Sequence, residues 1–188
     1  MYQICVSGAA KGDSVEEGKE LARQVGAAIA EAGHALMTGA TVGLPNYAAE
    51  GYKAAGGKMS FGISPAGSKV EHIRKYRLPT EAYDVILYSG LHYVGRDSLL
   101  ITSSDAVVSI GGRLGTLHEF TIAMESDTPI GFLQGAGGIS EQIGQIMELA
   151  QPIRPGAVVL FETSPELLVK NLTKALDREL GSLKSLYS

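Results

Sequence analysis

The residues with most to say about chemistry lie between Ser104 and Glu119, in the run Ser-Asp-Ala-Val-Val-Ser-Ile-Gly-Gly-Arg-Leu-Gly-Thr-Leu-His-Glu. A β-branched stretch delivers the paired glycines Gly111 and Gly112, then Gly115 and Thr116 where a helix starts. Unpaired N–H groups at a helix start carry partial positive charge and attract anions. Amides at Gly111, Gly112, Gly115 and Thr116, with the threonine hydroxyl, can therefore cradle a phosphate. Glu119 stands three residues beyond Thr116, on nearly the same helical face. A second reading stays open here. Thr116 and Glu119 also have capping-box spacing, which satisfies a helix end without any ligand.

Two further glycine turns follow strand-like runs, Gly8 to Gly12 and Gly39 to Gly43. In open α/β sheets, ligands bind at the carboxyl ends of the strands. Three such turns favour a phosphate-bearing ligand, with Gly8, Gly39 and Gly43 joining the list of binding residues. The familiar nucleotide fingerprints are absent. Gly8-Ala9-Ala10-Lys11-Gly12 is not G-x-G-x-x-G, and Met37-Thr38-Gly39 supplies no acid for a ribose hydroxyl. Gly57-Lys58-Met59 lacks the hydroxyl that a Walker A loop offers to magnesium.

The elements that must position these loops alternate along the chain. Strands are expected at Tyr2–Ser7, His34–Met37, Lys58–Ile63, Tyr83–Tyr88, Asp105–Ile110, Pro129–Leu133 and Ala157–Phe161. Helices are expected after Ser14, from Pro45, from Arg96, from Gly115, over Ser140–Ala150 and over Ser164–Leu180. The polar segment Ser64–Glu81 carries Lys69, His72, Arg74, Lys75 and Arg77 without a clear period, and reads as a long functional, mobile or solvated loop. The pattern predicts an α/β fold: a Rossmann-like, doubly wound, mostly parallel sheet in a single domain over residues 1–188.

Composition narrows the function classes. The chain has 188 residues, of which 24 are Gly, 1 is Cys and none is Trp, and its net charge is -4. That charge argues against a broad nucleic-acid surface. A lone cysteine excludes an internal disulfide and fits a reducing cytoplasm. The first residues do not read as a signal peptide, and no run of about 18 apolar residues spans a membrane. His34, His72, His92 and His118 are dispersed without paired ligand spacing, so no metal is expected. No cofactor is expected either.

One resemblance joins these observations. The stretch ending in Glu119 resembles the P-G-G-x-G-T-x-x-E signature of the LOG ("lonely guy") family, nucleotide binders once labelled possible lysine decarboxylases. Gly39 to Pro45 with Ala48 to Gly57 is similar to that family's G-G-x-x-x-G-L-M loop and helix, and Lys58 to Pro65 to its G-I-x-P strand end. Gly95-Arg96-Asp97 ahead of Ser103-Ser104-Asp105-Ala106 resembles its arginine-bearing helix. The likeness runs over roughly residues 1–165 in order. Three departures stand out. Ile110 replaces the prolyl residue, Arg113-Leu114 lengthens the glycine loop by one, and Asp97 follows Arg96. They bring the chain closer to a divergent branch that includes molybdenum-cofactor carrier-like proteins.

The resemblance implies a phosphoribohydrolase that splits a nucleoside 5′-monophosphate into base and ribose 5-phosphate. It carries two catalytic residues over to Arg96 and Glu119, and it implies a homodimer. The alternative it implies is a non-catalytic carrier or sensor of a phosphorylated ligand, such as molybdenum cofactor or a nucleotide. Arg96 can equally form a salt bridge to Glu119 or Asp97. Tyr83, Tyr88 and Tyr93 flank the expected base side and either stack on a base or pack internally. Lysine decarboxylation needs a cofactor held through a lysine, and no feature marks such a lysine.

Overall fold

A computed structural model of the chain describes residues 1–151 and 156–181. The remainder of the span expected to form one domain lies outside the described residues. Seven strands, β1 (Gln3–Gly8), β2 (Ala35–Thr38), β3 (Ser60–Ser64), β4 (Val85–Tyr88), β5 (Ala106–Ile110), β6 (Ile130–Leu133) and β7 (Val159–Glu162), form one sheet in the order β4-β3-β2-β1-β5-β6-β7. Each neighbouring pair is parallel, so the sheet is parallel throughout rather than mostly so. From β1 the chain steps outward to β4, then returns to place β5 against the other side of β1. That reversal is the switch point where such sheets bind ligands.

The helices are α1 (Asp13–Glu31), α2 (Leu44–Ala54), α3 (Lys69–Arg74), α4 (His92–Thr102), α5 (Leu114–Glu125), α6 (Ile143–Leu149) and α7 (Pro165–Leu180). Strand alternation divides the core in two. Ile4 and Val6 face a layer containing Val25, Ile29, Leu44 and Leu172 from α1, α2 and α7. Cys5 faces the other layer, with Leu100 and Ile101 of α4 and Phe120 of α5. By the same alternation Ser7 points toward α4 and α5, and its register partner on β5 is Ser109. Ser164 caps α7 through a bond from Leu167 N, with Pro165 in the first turn, as that sequence predicts. Among the described residues no helix is long and apolar enough to cross a membrane.

Three elements depart from the sequence expectation. The segment from Ser64 to Glu81 is not one long loop, because Ser68 caps α3 by accepting from Glu71 N. His72 is fully buried there, bonded to Ser64 Oγ at 2.8 Å and to the Pro79 carbonyl at 2.9 Å. A six-residue helix built around a buried histidine is too short to show an apolar period. Helix α4 starts at His92, a turn before Arg96, from Leu91 without a side-chain cap. The expected helix from Ser140 begins instead as a 3-10 turn, Ile139–Glu141, before α6.

Candidate functional site

A cleft of about 400 Å³ opens at the switch point. One wall is the start of α5, with Arg113, Gly115, Thr116 and Glu119. The turn after β1 contributes Gly8 to Lys11, and the loop after β2 contributes Gly39 and Thr41. Tyr93, Arg96 and Asp97 come from α4, and Tyr76 and Leu78 from the connection after α3. Its size is that of a small-ligand site.

The start of α5 is open. Arg113 occupies the cap position without a side-chain cap bond, and Thr116 lies inside the first turn. Leu117 N bonds the Arg113 carbonyl at 3.1 Å, whereas the amides of Gly115 and Thr116 have no acceptor among the described residues. The capping-box alternative fails for a definite reason: the Glu119 carboxylate accepts from Ser7 Oγ instead of reaching back to the helix start. Lys11 and Arg113, both exposed, add positive charge at this end of the cleft.

The glycines divide into two groups. Gly8, Gly39 and Gly115 line the cleft with Thr116. Gly43, Gly111 and Gly112 stand behind it and shape the turns. Gly112 has φ 89°, and a Cβ there would lie 1.9 Å from Thr116 Oγ1, so the threonine hydroxyl takes the space a side chain would fill. Its carbonyl accepts from Ile139 N at 2.9 Å, and that of Gly111 accepts from Ser140 Oγ at 2.6 Å.

Arg96 is 5% exposed. Its guanidinium packs on Gly39, where a Cβ would sit 1.8 Å from Nη1, so any larger residue there would push the fork aside. Nη2 lies 3.4 Å from Asp97 Oδ1, and the carbon of the fork is 5.9 Å from the centre of the Tyr93 ring. The open choice of ion pair is thus settled for Asp97 over Glu119. Arg96 Nε is buried without a partner among the described residues. Asp97 Oδ2 also lies 3.2 Å from His118 Nδ1.

Glu119 is the electrostatic outlier. Burial, reinforced by the negative charge of Asp97, pushes its carboxyl up to about 7. The Ser7 hydroxyl, Arg96 and His118 offset this only in part. A carboxyl poised there changes charge near neutrality and can hold a positive centre or take a proton.

The tyrosines separate clearly. Tyr83 is buried and accepts from Thr38 Oγ1 at 2.9 Å, and Tyr88 lies edge-on to His72. Of the three flagged from sequence only Tyr93 lines the cleft, joined by Tyr76. Sequence reasoning also passed over Ser7, Lys11 and Leu78. Ser7 had a signal, because strand alternation beside Gly8 turns it to the α5 face; Tyr76 and Leu78 had none.

Comparison with known proteins places this geometry. An uncharacterized protein of Archaeoglobus fulgidus is 33% identical over 134 residues, covering 71% of this chain and 81% of its own length. The X-ray structure of TM1055 superposes with a TM-score of 0.80 at 24% identity, covering 93% of this chain and 99% of that one, a likeness of fold. The molybdenum cofactor carrier protein of Chlamydomonas reinhardtii superposes with a TM-score of 0.74 at 26% identity, over 93% of this chain and 98% of its own. The model of the SLOG cluster4 family matches residues 1–168. The chain belongs to the SLOG cluster4 family, as its LOG-like signature and its likeness to the carrier branch led one to expect.

Proposed function

We propose that the cleft binds a small phosphorylated ligand and hydrolyses the N-glycosidic bond of a nucleoside 5′-monophosphate. The observation that carries this reading is the meeting of Arg96, packed against Gly39 and paired with Asp97, and Glu119, with its raised carboxyl pKa, in the wall of one cleft. The free amides of Gly115 and Thr116 hold the phosphate, with Lys11 and Arg113 adding charge. Gly8 and Gly39 let backbone and guanidinium approach closely. The Arg96 fork orients ribose or phosphate.

Ionised Glu119 faces the cationic charge that develops on the sugar as the C1′–N bond stretches. Water oxygen bonds to C1′, the C1′–N electron pair leaves with the base, and Glu119 takes the proton from water. The base nitrogen collects a proton from solvent, leaving free base and ribose 5-phosphate. No metal or other cofactor enters this scheme.

A second reading, a carrier without turnover, is favoured by one feature. The glycine loop is one residue longer than in the hydrolase signature, and its Leu114 is 80% exposed. The 26% identical neighbour is a molybdenum cofactor carrier, which fits the same reading. Incubation with AMP, with adenine and ribose 5-phosphate assayed by chromatography, separates the two. Release of both products supports the hydrolase. Saturable AMP binding without release supports the carrier, and absence of AMP binding together with recovery of no phosphorylated compound from the purified protein removes both.

The apolar side chains of Val85 and Leu87 on edge strand β4, with Leu91 and Val94 at the start of α4, are 44–70% exposed and support a homodimer. A monomeric mass by light scattering would remove that part of the proposal.

A further inference from the structure

We propose that His118 is a positioning residue: by holding one oxygen of Asp97 it stops that carboxylate from closing on the Arg96 fork, and so keeps the arginine free to take an anion. The inference rests on the phosphate reading above and deepens it by naming what sets the affinity of the site.

The two helices that carry Arg96 and Glu119 each present a second polar residue beside it, Asp97 on α4 and His118 on α5. Successive residues on a helix point about 100° apart, so the members of each pair face different neighbours. Arg96 turns to Gly39 and Glu119 to Ser7, while Asp97 and His118 meet across the helix pair. His118 does not line the cleft, and its side chain is 37% exposed against 9% for that of Asp97. It reaches the site through Asp97.

What the contact does follows from the distances. Asp97 Oδ2 lies 3.2 Å from His118 Nδ1, and Oδ1 lies 3.4 Å from Arg96 Nη2. A carboxylate can only accept, so the imidazole donates its Nδ1–H. Guanidinium and carboxylate groups left to themselves favour two parallel N–H···O bonds of about 2.7–2.9 Å. Here the approach is longer, and the second oxygen is engaged by the imidazole. Asp97 thus balances the buried charge of Arg96 without occupying its fork. Glu119 feels both partners: the Asp97 charge raises its carboxyl, and His118 opposes that rise. The bridge also ties α4 to α5, which share one core layer through Leu100, Ile101 and Phe120.

The test reads Arg96 directly and then its ligand. The Arg96 Nε–H resonance is followed by NMR in the unliganded full chain, and ribose 5-phosphate is titrated calorimetrically. In His118→Ala both oxygens of Asp97 close on the fork, so the resonance should move. Affinity for ribose 5-phosphate should fall by roughly tenfold, the low end for a hydrogen bond to a charged group. Asparagine offers an N–H donor in place of Nδ1, so His118→Asn should bring both readings back near the parent. In an Asp97→Asn background no carboxylate remains to close, and His118→Ala should add nothing to either reading. Three results each overturn the proposal: an Arg96 resonance indifferent to His118→Ala, ribose 5-phosphate bound as tightly by that variant as by the parent, or His118→Asn behaving like alanine. A full effect of His118→Ala in the Asp97→Asn background does so as well. Failure of the phosphate reading looks different: the parent then does not bind ribose 5-phosphate, while the Arg96 resonance still follows His118 through Asp97.

Discussion

Two buried carboxylates, Asp97 and Glu119, line the same cleft and live in opposite surroundings. Asp97 sits between two nitrogen-bearing side chains, the Arg96 guanidinium at 3.4 Å and the His118 imidazole at 3.2 Å. Glu119 has a neutral hydroxyl, that of Ser7, as its hydrogen-bond donor, and its carboxyl rises to about 7. Part of that rise comes from Asp97 itself. One acid therefore spends its charge fixing an arginine, and the other is kept short of partners. A carboxylate with satisfied partners is structural, whereas one left undersupplied has charge to offer to a ligand. The division assigns positioning to Asp97 and chemistry to Glu119.

The largest expected effect tests the chemical half of that division. Glu119→Gln keeps the shape and removes the charge, so base release from AMP should fall by about 10²–10⁴-fold. Affinity for ribose 5-phosphate should change little, because the amides of α5 are untouched. An activity loss matched by an equal loss of affinity would break the contrast. Next comes Asp97→Asn, which strands the buried Arg96 charge and should cost about 3 kcal/mol of stability in denaturant titration. With the Asp97 charge gone, the Glu119 carboxyl should also titrate lower, moving the acid limb of the pH–rate profile downward. An unmoved limb would show that the two acids are uncoupled.

How far this contrast was legible in the sequence depended on the distance between partners along the chain. The doubly wound sheet, the open start of α5 and the pairing of Thr116 with Glu119 on one helical turn are local patterns, and they read directly. Arg96 came through a motif, and its alternative partner Asp97 is its immediate neighbour. The Ser7–Glu119 bond joins residues 112 positions apart, and only the β1–β5 switch brings them together. Tyr76 was hidden because the segment before it looked like solvated basic loop. What makes that segment ordered is the burial of His72 against Ser64 and Pro79, a contact with no periodic signature. The three rear glycines read as ligand residues because a glycine at a turn looks the same in sequence whether its freedom serves a ligand or a neighbour such as Thr116.

A smaller effect tests the cost of keeping Glu119 undersupplied. Its folded carboxyl at about 7 lies above the ordinary 4.5, so the folded chain holds a proton that the unfolded chain releases between these values. The glutamate's contribution is then fully present below about pH 4.5 and is lost as pH rises through about 7, by about 3 kcal/mol. Glu119→Gln should remove this fall. At pH 8 the variant should melt on the order of 6–12 °C above the parent, with the gap closing by pH 4.5. A gap independent of pH would place the stabilisation elsewhere.

The smallest effect bears on the one hydroxyl that Glu119 retains. Ser7 Oγ donates to the carboxylate and so favours its charged form. In Ser7→Ala that donor is lost, and the carboxyl should rise further above about 7. The cost should be about 1 kcal/mol, felt mainly at alkaline pH where Glu119 is ionised. Near pH 5 the carboxyl is protonated and has less need of a donor, so the variant should there lie closer to the parent. Base release should shift its acid limb upward with little change in its alkaline plateau, opposite in direction to Asp97→Asn. Opposed shifts from two substitutions on different elements, both read at one carboxyl, would identify Glu119 as the group that titrates, because a general loosening of the cleft would move both profiles the same way.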